Sequence, residues 1–264
     1  MIGAIIGDIV GSRFEWHNRK NKDFKFFHAD CFLTDDSIMT LAVARAIVDC
    51  AGDYAALSKR ATAWMRRLGR QYPDSGYGGR FYQWLFNDRS GPYNSFGNGA
   101  AMRVSPCGFA ARDLAEVKYL SRQVTAVSHN HPEGLKGAEA TAVCVFLALQ
   151  GADIAEIRRA AAEYYVLDLT LDEIRPNYRF NETCQDSVPQ ALTAFFESAG
   201  FEDAIRNAIS LGGDSDTLAA ICGGVAGAYY GVPKALRAGA LNFLDQQQAA
   251  ILNEFEDIYP PKEG

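Results

Sequence analysis

The sequence predicts an all-α protein, a single compact orthogonal helical domain over residues 1–264. Three observations carry that expectation. Apolar residues recur at helical spacing along nearly the whole chain. No set of alternating strands bounded by hairpin turns is present. Two charge-poor runs of small and apolar residues have the composition of helices buried on every side: Ile38 to Val48, where Arg45 is the only charge, and Leu218 to Tyr230, which has none. No linker, low-complexity tract or fixed-period repeat divides the chain.

In chain order, the first expected helix is Ile2–Ser12, whose Gly3, Gly7 and Gly11 permit close approach of a second backbone. Ser37–Ala51 follows, opened by Thr34-Asp35-Asp36-Ser37, then Tyr54–Leu68 and Gly79–Leu85. Around that last helix, the stretch from Gly69 to Gly99 is rich in Gly, Pro, Asn and Tyr and reads as loop. Ser95 to Arg103 reads as a glycine-rich turn feeding a helix, and its consecutive N–H groups predict an anion cradle. Asp113–Ser128, Gly134–Gln150 and Ile154–Val166 come next, then a second long loop, Leu167–Thr183. Loops of this length in a compact domain are often functional. The chain closes with helices at Ser187–Ser198, Phe201–Leu211, Thr217–Tyr230, Pro233–Leu241 and Leu244–Tyr259.

Composition narrows the function. A formal charge of −6 and the lack of any Lys/Arg run argue against a nucleic-acid partner. The apolar start, Met1 to Val10, lacks a basic flank and carries Asp8, and no stretch reaches about 18 apolar residues. Neither export nor membrane insertion is expected. The six cysteines show no C-x-x-C pair and read as core thiols of a reducing compartment, so a cytoplasmic, monomeric protein is expected.

Chemistry concentrates in two acidic clusters about 180 residues apart, Thr34-Asp35-Asp36-Ser37 and Gly212-Gly213-Asp214-Ser215-Asp216-Thr217. Asp and Thr before a helix are ordinary caps. Here, however, both clusters open buried helices, where an unpaired carboxylate is costly and survives by pairing or by binding metal. Hard oxygen ligands suit Mg²⁺ or Mn²⁺ better than zinc. His129 and His131 lie too far from a third ligand to suggest zinc and read as part of a turn before a helix. Trp84, Tyr93 and Phe96 read as loop-packing aromatics. Arg103 suits either a phosphate or a salt bridge to a core acid.

Five segments, GDIVGSRFE, TDDS, SFGNGAAMR, SHNHP and LGGDSDT, occur in the order and context found in the ADP-ribosylglycohydrolase family, which the chain resembles from about Ile2 to Gly231. The resemblance implies a helical domain with a binuclear Mg²⁺ or Mn²⁺ centre. Its ligands would be Thr34, Asp35 and Asp36 with Asp214, Asp216 and Thr217, and Asp216 would be shared by both ions. Ser37 and Ser215 stand where the family usually has Thr, and both keep the hydroxyl. Glu15 matches the family's mobile acidic residue at the scissile bond. Phe96 would flank the adenosine end of the substrate. Ser95, Gly97, Asn98, Gly99 and His129 would follow the pyrophosphate and distal ribose.

The activity so implied is removal of ADP-ribose from a modified protein or a small ADP-ribose conjugate. Two divalent ions can clamp ribose hydroxyls and activate water, with Asp36 and Glu15 as the acid–base carboxylates. Family members divide among arginine, serine and other acceptors. Asp74, about where arginine-specific relatives carry an extra acid, favours arginine, although it also suits a turn after Pro73. O-glycosidic serine or small-conjugate hydrolysis is the alternative. A non-catalytic, crystallin-like relative is disfavoured by the complete acid set. A two-metal isoprenoid enzyme is disfavoured because Met39 breaks the D-D-x-x-D spacing.

Overall fold

The computed structural model describes residues 1–262; Glu263 and Gly264 of the expected domain lie outside the described residues. Its helices in chain order begin with α1 (Ile2–Gly11), α2 (Asp35–Cys50), α3 (Leu57–Gln71), α4 (Gly79–Phe86) and α5 (Ser105–Ala110). Then come α6 (Leu114–Thr125), α7 (Pro132–Leu149), α8 (Ile154–Ala161), α9 (Leu171–Ile174) and α10 (Val188–Phe196). The last four are α11 (Phe201–Ser210), α12 (Ser215–Tyr230), α13 (Lys234–Leu241) and α14 (Gln246–Ile258). Among the described residues there is no strand, only an isolated bridge between Gly97 and Thr183. The all-α expectation holds, in one compact domain.

The centre of the fold is the pair α1 and α12, the most extensively packed pair in the molecule. All of α1 is buried, as is α12 from Ser215 to Ala228. The α1 glycines make this approach possible. A Cβ on Gly11 would sit 2.6 Å from the Asp216 Cα, and on Gly3 and Gly7 it would meet α12 carbonyls at still shorter range. Because backbone cannot move aside as a side-chain tip can, Gly7→Ala should destabilise the fold by about 3 kcal/mol, the upper end of ordinary overpacking. Chemical denaturation is the check, and a loss below about 0.5 kcal/mol would mean that the helices are free to separate.

Helix ends follow local chemistry. Thr34 caps α2, its hydroxyl accepting from the Asp36 N–H, so the helix opens at Asp35, two residues before the expected start. It ends at Ala51 in the left-handed region, followed by Gly52. Capping boxes open α8, α9 and α14. The helix expected to follow the Ser95–Arg103 turn is α5, which begins at Ser105-Pro106 and lasts only six residues, whereas α9, a single turn inside the expected loop Leu167–Thr183 nucleated by Thr170 and Glu173, was not expected. α6 and α8 stop short of their expected ends, at Thr125 and Ala161, which leaves Ser128 outside any helix. All six cysteines are buried and unbridged. None of the described helices is long and apolar enough to cross a membrane.

Candidate active site

The N-termini of α2 and α12 meet beneath a cavity of about 540 Å³. Glu15, Thr34, Asp35, Asp36, Asp74, Ser95, Phe96, Gly97, Asn98, Gly99, His129, Asp214, Asp216 and Thr217, the residues expected to hold metal or substrate, all line it. Gly212 and Gly213, both at positive φ (+70° and +73°), turn the chain into α12 and point Asp214 and Asp216 toward α2. Thr217 Oγ1 donates to Asp36 Oδ2 at 3.3 Å and joins the two helix ends directly.

Carboxylate oxygens gather in two overlapping triads, Asp8–Asp36–Asp216 and Glu15–Asp214–Asp216, each with its ligand atoms within 4.8 Å of one another. Asp216 belongs to both. Asp35 belongs to neither and lies at the cavity wall beside Ser75 and Gly76, its N–H donating to the Ser75 carbonyl at 2.7 Å. Among the described residues no Lys, Arg or His forms an ion pair with any of these acids. Asp36 Oδ1 and Asp216 Oδ1 are buried without any hydrogen-bond partner. Burial, with the neighbouring carboxylates next, pushes Asp35, Asp36 and Asp216 well above the ordinary carboxylate range. Burial, then Asp214 and Glu182, raises Glu15 to about 7. A buried, all-oxygen, cation-free cluster with orphaned lone pairs has the donor set that a hard divalent cation requires.

Sequence reasoning missed three residues that build this floor. Asp8, buried in mid-α1, accepts from Thr34 N (3.1 Å), Thr34 Oγ1 (2.7 Å) and Ser37 N (3.1 Å), so it orients the α2 terminus and also joins a triad. Burial outweighs those bonds and raises it to about 6. Its signal was a lone acid in a wholly apolar helix. Asn18 donates to the Phe14, Glu15 and Gly213 carbonyls and accepts from Gly213 N–H at 2.8 Å, stapling the Glu15 segment to the α12 turn. Lys20 donates to the carbonyls of Arg175, Tyr178 and Leu211 and ties the same segment to the loop after α9.

Two expectations need correction. The segment from Ser95 does not feed a helix that closes an anion cradle. It forms a 3₁₀ turn at Asn98–Ala100, and helix resumes only at Ser105. The Gly97 N–H donates to Ser95 Oγ and the Asn98 N–H to the Glu182 carbonyl at 2.7 Å, because this loop pairs with residues 182–184. Asn98 instead turns its side-chain amide to Asp214 Oδ2 at 2.7 Å. Arg103 borders the cavity but forms no salt bridge to an acid among the described residues. It is fully buried, stacks over Phe81 and donates to Ser128 Oγ and the Val124 carbonyl. Of the aromatics, Trp84 is core, Tyr93 lines the cavity, and Phe96 is exposed at its rim. His131 caps α7, accepting from the Glu133 N–H, whereas His129 is buried against the cavity.

A helical core that carries buried acids to the floor of a cavity suits a divalent-cation site. Comparison with known proteins narrows it. The ADP-ribosylglycohydrolase family profile matches residues 1–259, and the chain belongs to that family of metal-dependent glycosidic-bond hydrolases. It is 26% identical to ADP-ribosylhydrolase ARH3 of Danio rerio, over 88% of this chain and 82% of that protein. It is 28% identical to ADP-ribosylarginine hydrolase Tri1 of Pseudomonas putida (strain GB-1), over 88% of this chain and 70% of that protein. A solved structure described as an ADP-ribosylglycohydrolase-related protein complex superposes with a TM-score of 0.71 at 24% identity, covering 98% of this chain and 95% of that one, and shares the fold.

Proposed function

We propose that this enzyme holds two Mg²⁺ or Mn²⁺ ions and releases ADP-ribose from modified protein side chains, with arginine the favoured acceptor. The observation that carries the reading is the overlap of the two carboxylate triads at Asp216 with no counter-cation among them. Thr34, Asp35 and Asp36 with Asp214, Asp216 and Thr217, all on the cavity lining, are the residues that would hold the ions; Asp8 completes one triad beneath them and Glu15 borders the other. Bound there, such ions supply Lewis-acid charge to ribose hydroxyls and acidify a water. The protein's own groups do the rest. Glu15, on the cavity lining beside Asp214 and Asp216, is placed to pass a proton to the leaving group. Asp36, with Oδ2 held by the Thr217 hydroxyl and Oδ1 without a protein partner, would orient the attacking water and take its proton. Phe96, at the rim, offers a face for the adenine, and Ser95, Gly97, Asn98, Gly99 and His129 form the wall along which the pyrophosphate and distal ribose would lie.

Thermal shift with ADP-ribose is the direct test. In Mg²⁺, ligand at a hundred times its Kd should stabilise the fold by about 2.7 kcal/mol. No shift at millimolar ADP-ribose, alongside a shift with ATP or an isoprenoid diphosphate, would remove the assignment.

The acceptor preference rests on Asp74. It is exposed on the cavity lining in the same segment as Ser75 and Gly76, which border Asp35. A guanidinium leaving group emerging there meets carboxylates on its path, and charge-assisted pairing favours it. Relatives include a protein named for ADP-ribosylarginine, which supports the same preference. Asp74→Ala should lower release from ADP-ribosyl-arginine peptide by about tenfold, the lower end for a charged hydrogen bond, and leave ADP-ribosyl-serine peptide unaffected. A wild-type preference for the serine conjugate would reverse the proposal. Six buried, unbridged thiols favour a reducing, cytoplasmic setting.

A further inference from the structure

His129 sits at the inner wall of the cavity with its ring between Phe81 and Tyr93, centroids 5.9 and 5.8 Å away. Its Nε2 edge faces the Gly97–Gly99 turn: a Cβ on Gly99 would lie 3.3 Å from Nε2, and one on Gly97 3.6 Å. Its Nδ1 edge faces the protein and lies 2.9 Å from Ser128 Oγ, in a site where Ser128 is fully buried.

Which way the proton runs between those two atoms follows from Arg103. The guanidinium Nη2 donates to Ser128 Oγ at 2.8 Å, and a guanidinium can only donate. Ser128 Oγ thus accepts there and has one proton of its own to place. The His129 Nδ1 is the one acceptor within hydrogen-bond reach of that hydroxyl among the described residues. Were Nδ1 to carry a proton instead, Oγ would accept twice and its own proton would be buried without a partner, at a cost of about 1–3 kcal/mol. A doubly protonated ring has the same defect and adds a second cation beside Arg103. Burial, then Arg103 and Arg80, accordingly hold His129 well below its ordinary range.

We propose that Ser128, oriented by Arg103, is a positioning residue that locks His129 as a neutral imidazole with its proton on Nε2, presented to the cavity as a fixed hydrogen-bond donor. The group it addresses is an oxygen acceptor, a phosphate or ribose oxygen on the proposed reading of the cavity. That identification rests on the ADP-ribose assignment, whereas the tautomer does not. A fixed donor needs no proton uptake to bind and costs no reorientation on binding. Arg103 also borders the cavity, and the chain through Ser128 gives a role to a buried guanidinium that forms no carboxylate ion pair among the described residues.

The test is imidazole nitrogen spectroscopy of the full-length, Mg²⁺-loaded enzyme, labelled at its four histidines, with His129 assigned by the signals lost in His129→Gln. The expected result is a bare Nδ1 and a protonated Nε2. A proton on Nδ1, or on both nitrogens, overturns the proposal without recourse to any further variant. Ser128→Ala should yield a mixture of tautomers, and Ser128→Thr should restore one. In turnover assays Ser128→Ala should raise KM about fivefold, the factor for one net hydrogen bond, with kcat held and Ser128→Thr recovering KM. A wild-type tautomer ratio in Ser128→Ala also overturns the relay. ADP-ribose that leaves the wild-type His129 signals unmoved, with the tautomer as inferred, supports the relay and removes the ligand assignment instead.

Discussion

Asp216→Asn is expected to lower kcat by about a thousandfold while making the metal-free protein more stable than wild type. The two effects share one cause. Asp216 is common to both carboxylate triads, so neutralising it weakens both candidate ion sites at once. Lewis-acid charge at the reacting centre contributes several kcal/mol, and about 4 kcal/mol corresponds to that loss. In the metal-free fold the same carboxylate is uncompensated. It is buried, one oxygen has no partner, and burial with Asp214 and Asp36 drives it well above the ordinary range. Asparagine keeps the shape and removes the charge. Against that gain stands the loss of a negative group in the first turn of α12, worth about 0.3–1 kcal/mol. Desolvation of an unpaired ion is several times larger, so relief wins. Each kcal/mol should raise the metal-free Tm by about 2–4 °C. Turnover within tenfold of wild type at saturating Mg²⁺ or Mn²⁺ would mean that Asp216 is merely a helix-end residue.

Much of this site was legible because its acids occupy an anomalous place in the sequence pattern. Polar residues normally announce a surface face, yet Asp35, Asp36, Asp214 and Asp216 introduce helices with no surface face at all. That contradiction points to a buried ion site whether or not a family is in view. Asp8 was hidden by the same logic run backwards, since a lone acid in an apolar helix reads as an argument against export rather than as a ligand. Asn18, Lys20 and Ser128 were hidden for a different reason. Their roles are set by partners that only the folded chain brings to them, Gly213 for Asn18, Leu211 for Lys20 and Arg103 for Ser128. The glycine-rich loop misled because two amides that would be free in a helix N-terminus are taken up here, Gly97 N–H by Ser95 Oγ and Asn98 N–H by the Glu182 carbonyl. Short helices such as α5 and α9 lack the length over which periodicity can be read.

Metal-stripped enzyme should lose stability between pH 5 and pH 8, and divalent metal should reverse the trend. In the folded protein Asp8 titrates near 6 and Glu15 near 7, and Asp35, Asp36 and Asp216 are held well above the ordinary range, in each case with burial the largest cause. In the unfolded chain the same groups titrate near 4. Above about pH 4 these carboxylates bind more protons folded than unfolded, outnumbering the Met1 amine and His129, which burial holds low and which pull the other way, so stability falls as pH rises through the carboxylates' folded values. Below that window the opposite set takes over. Asp88, Glu116, Glu173 and Asp203, which hydrogen bonds hold below their ordinary range, contribute stability that is lost on acidification. The metal-free optimum should accordingly lie near pH 5, with Tm lower by on the order of 5 °C at pH 8. Ligation requires the ionised carboxylates, so cation affinity grows along the same axis. Mg²⁺ or Mn²⁺ should scarcely move the Tm at pH 5 and raise it most at pH 8. A pair of thermal-denaturation series, with and without chelator across this range, reads both slopes. A metal-free Tm that climbs from pH 5 to pH 8 would show that the acid cluster is compensated within the protein and has no need of a cation.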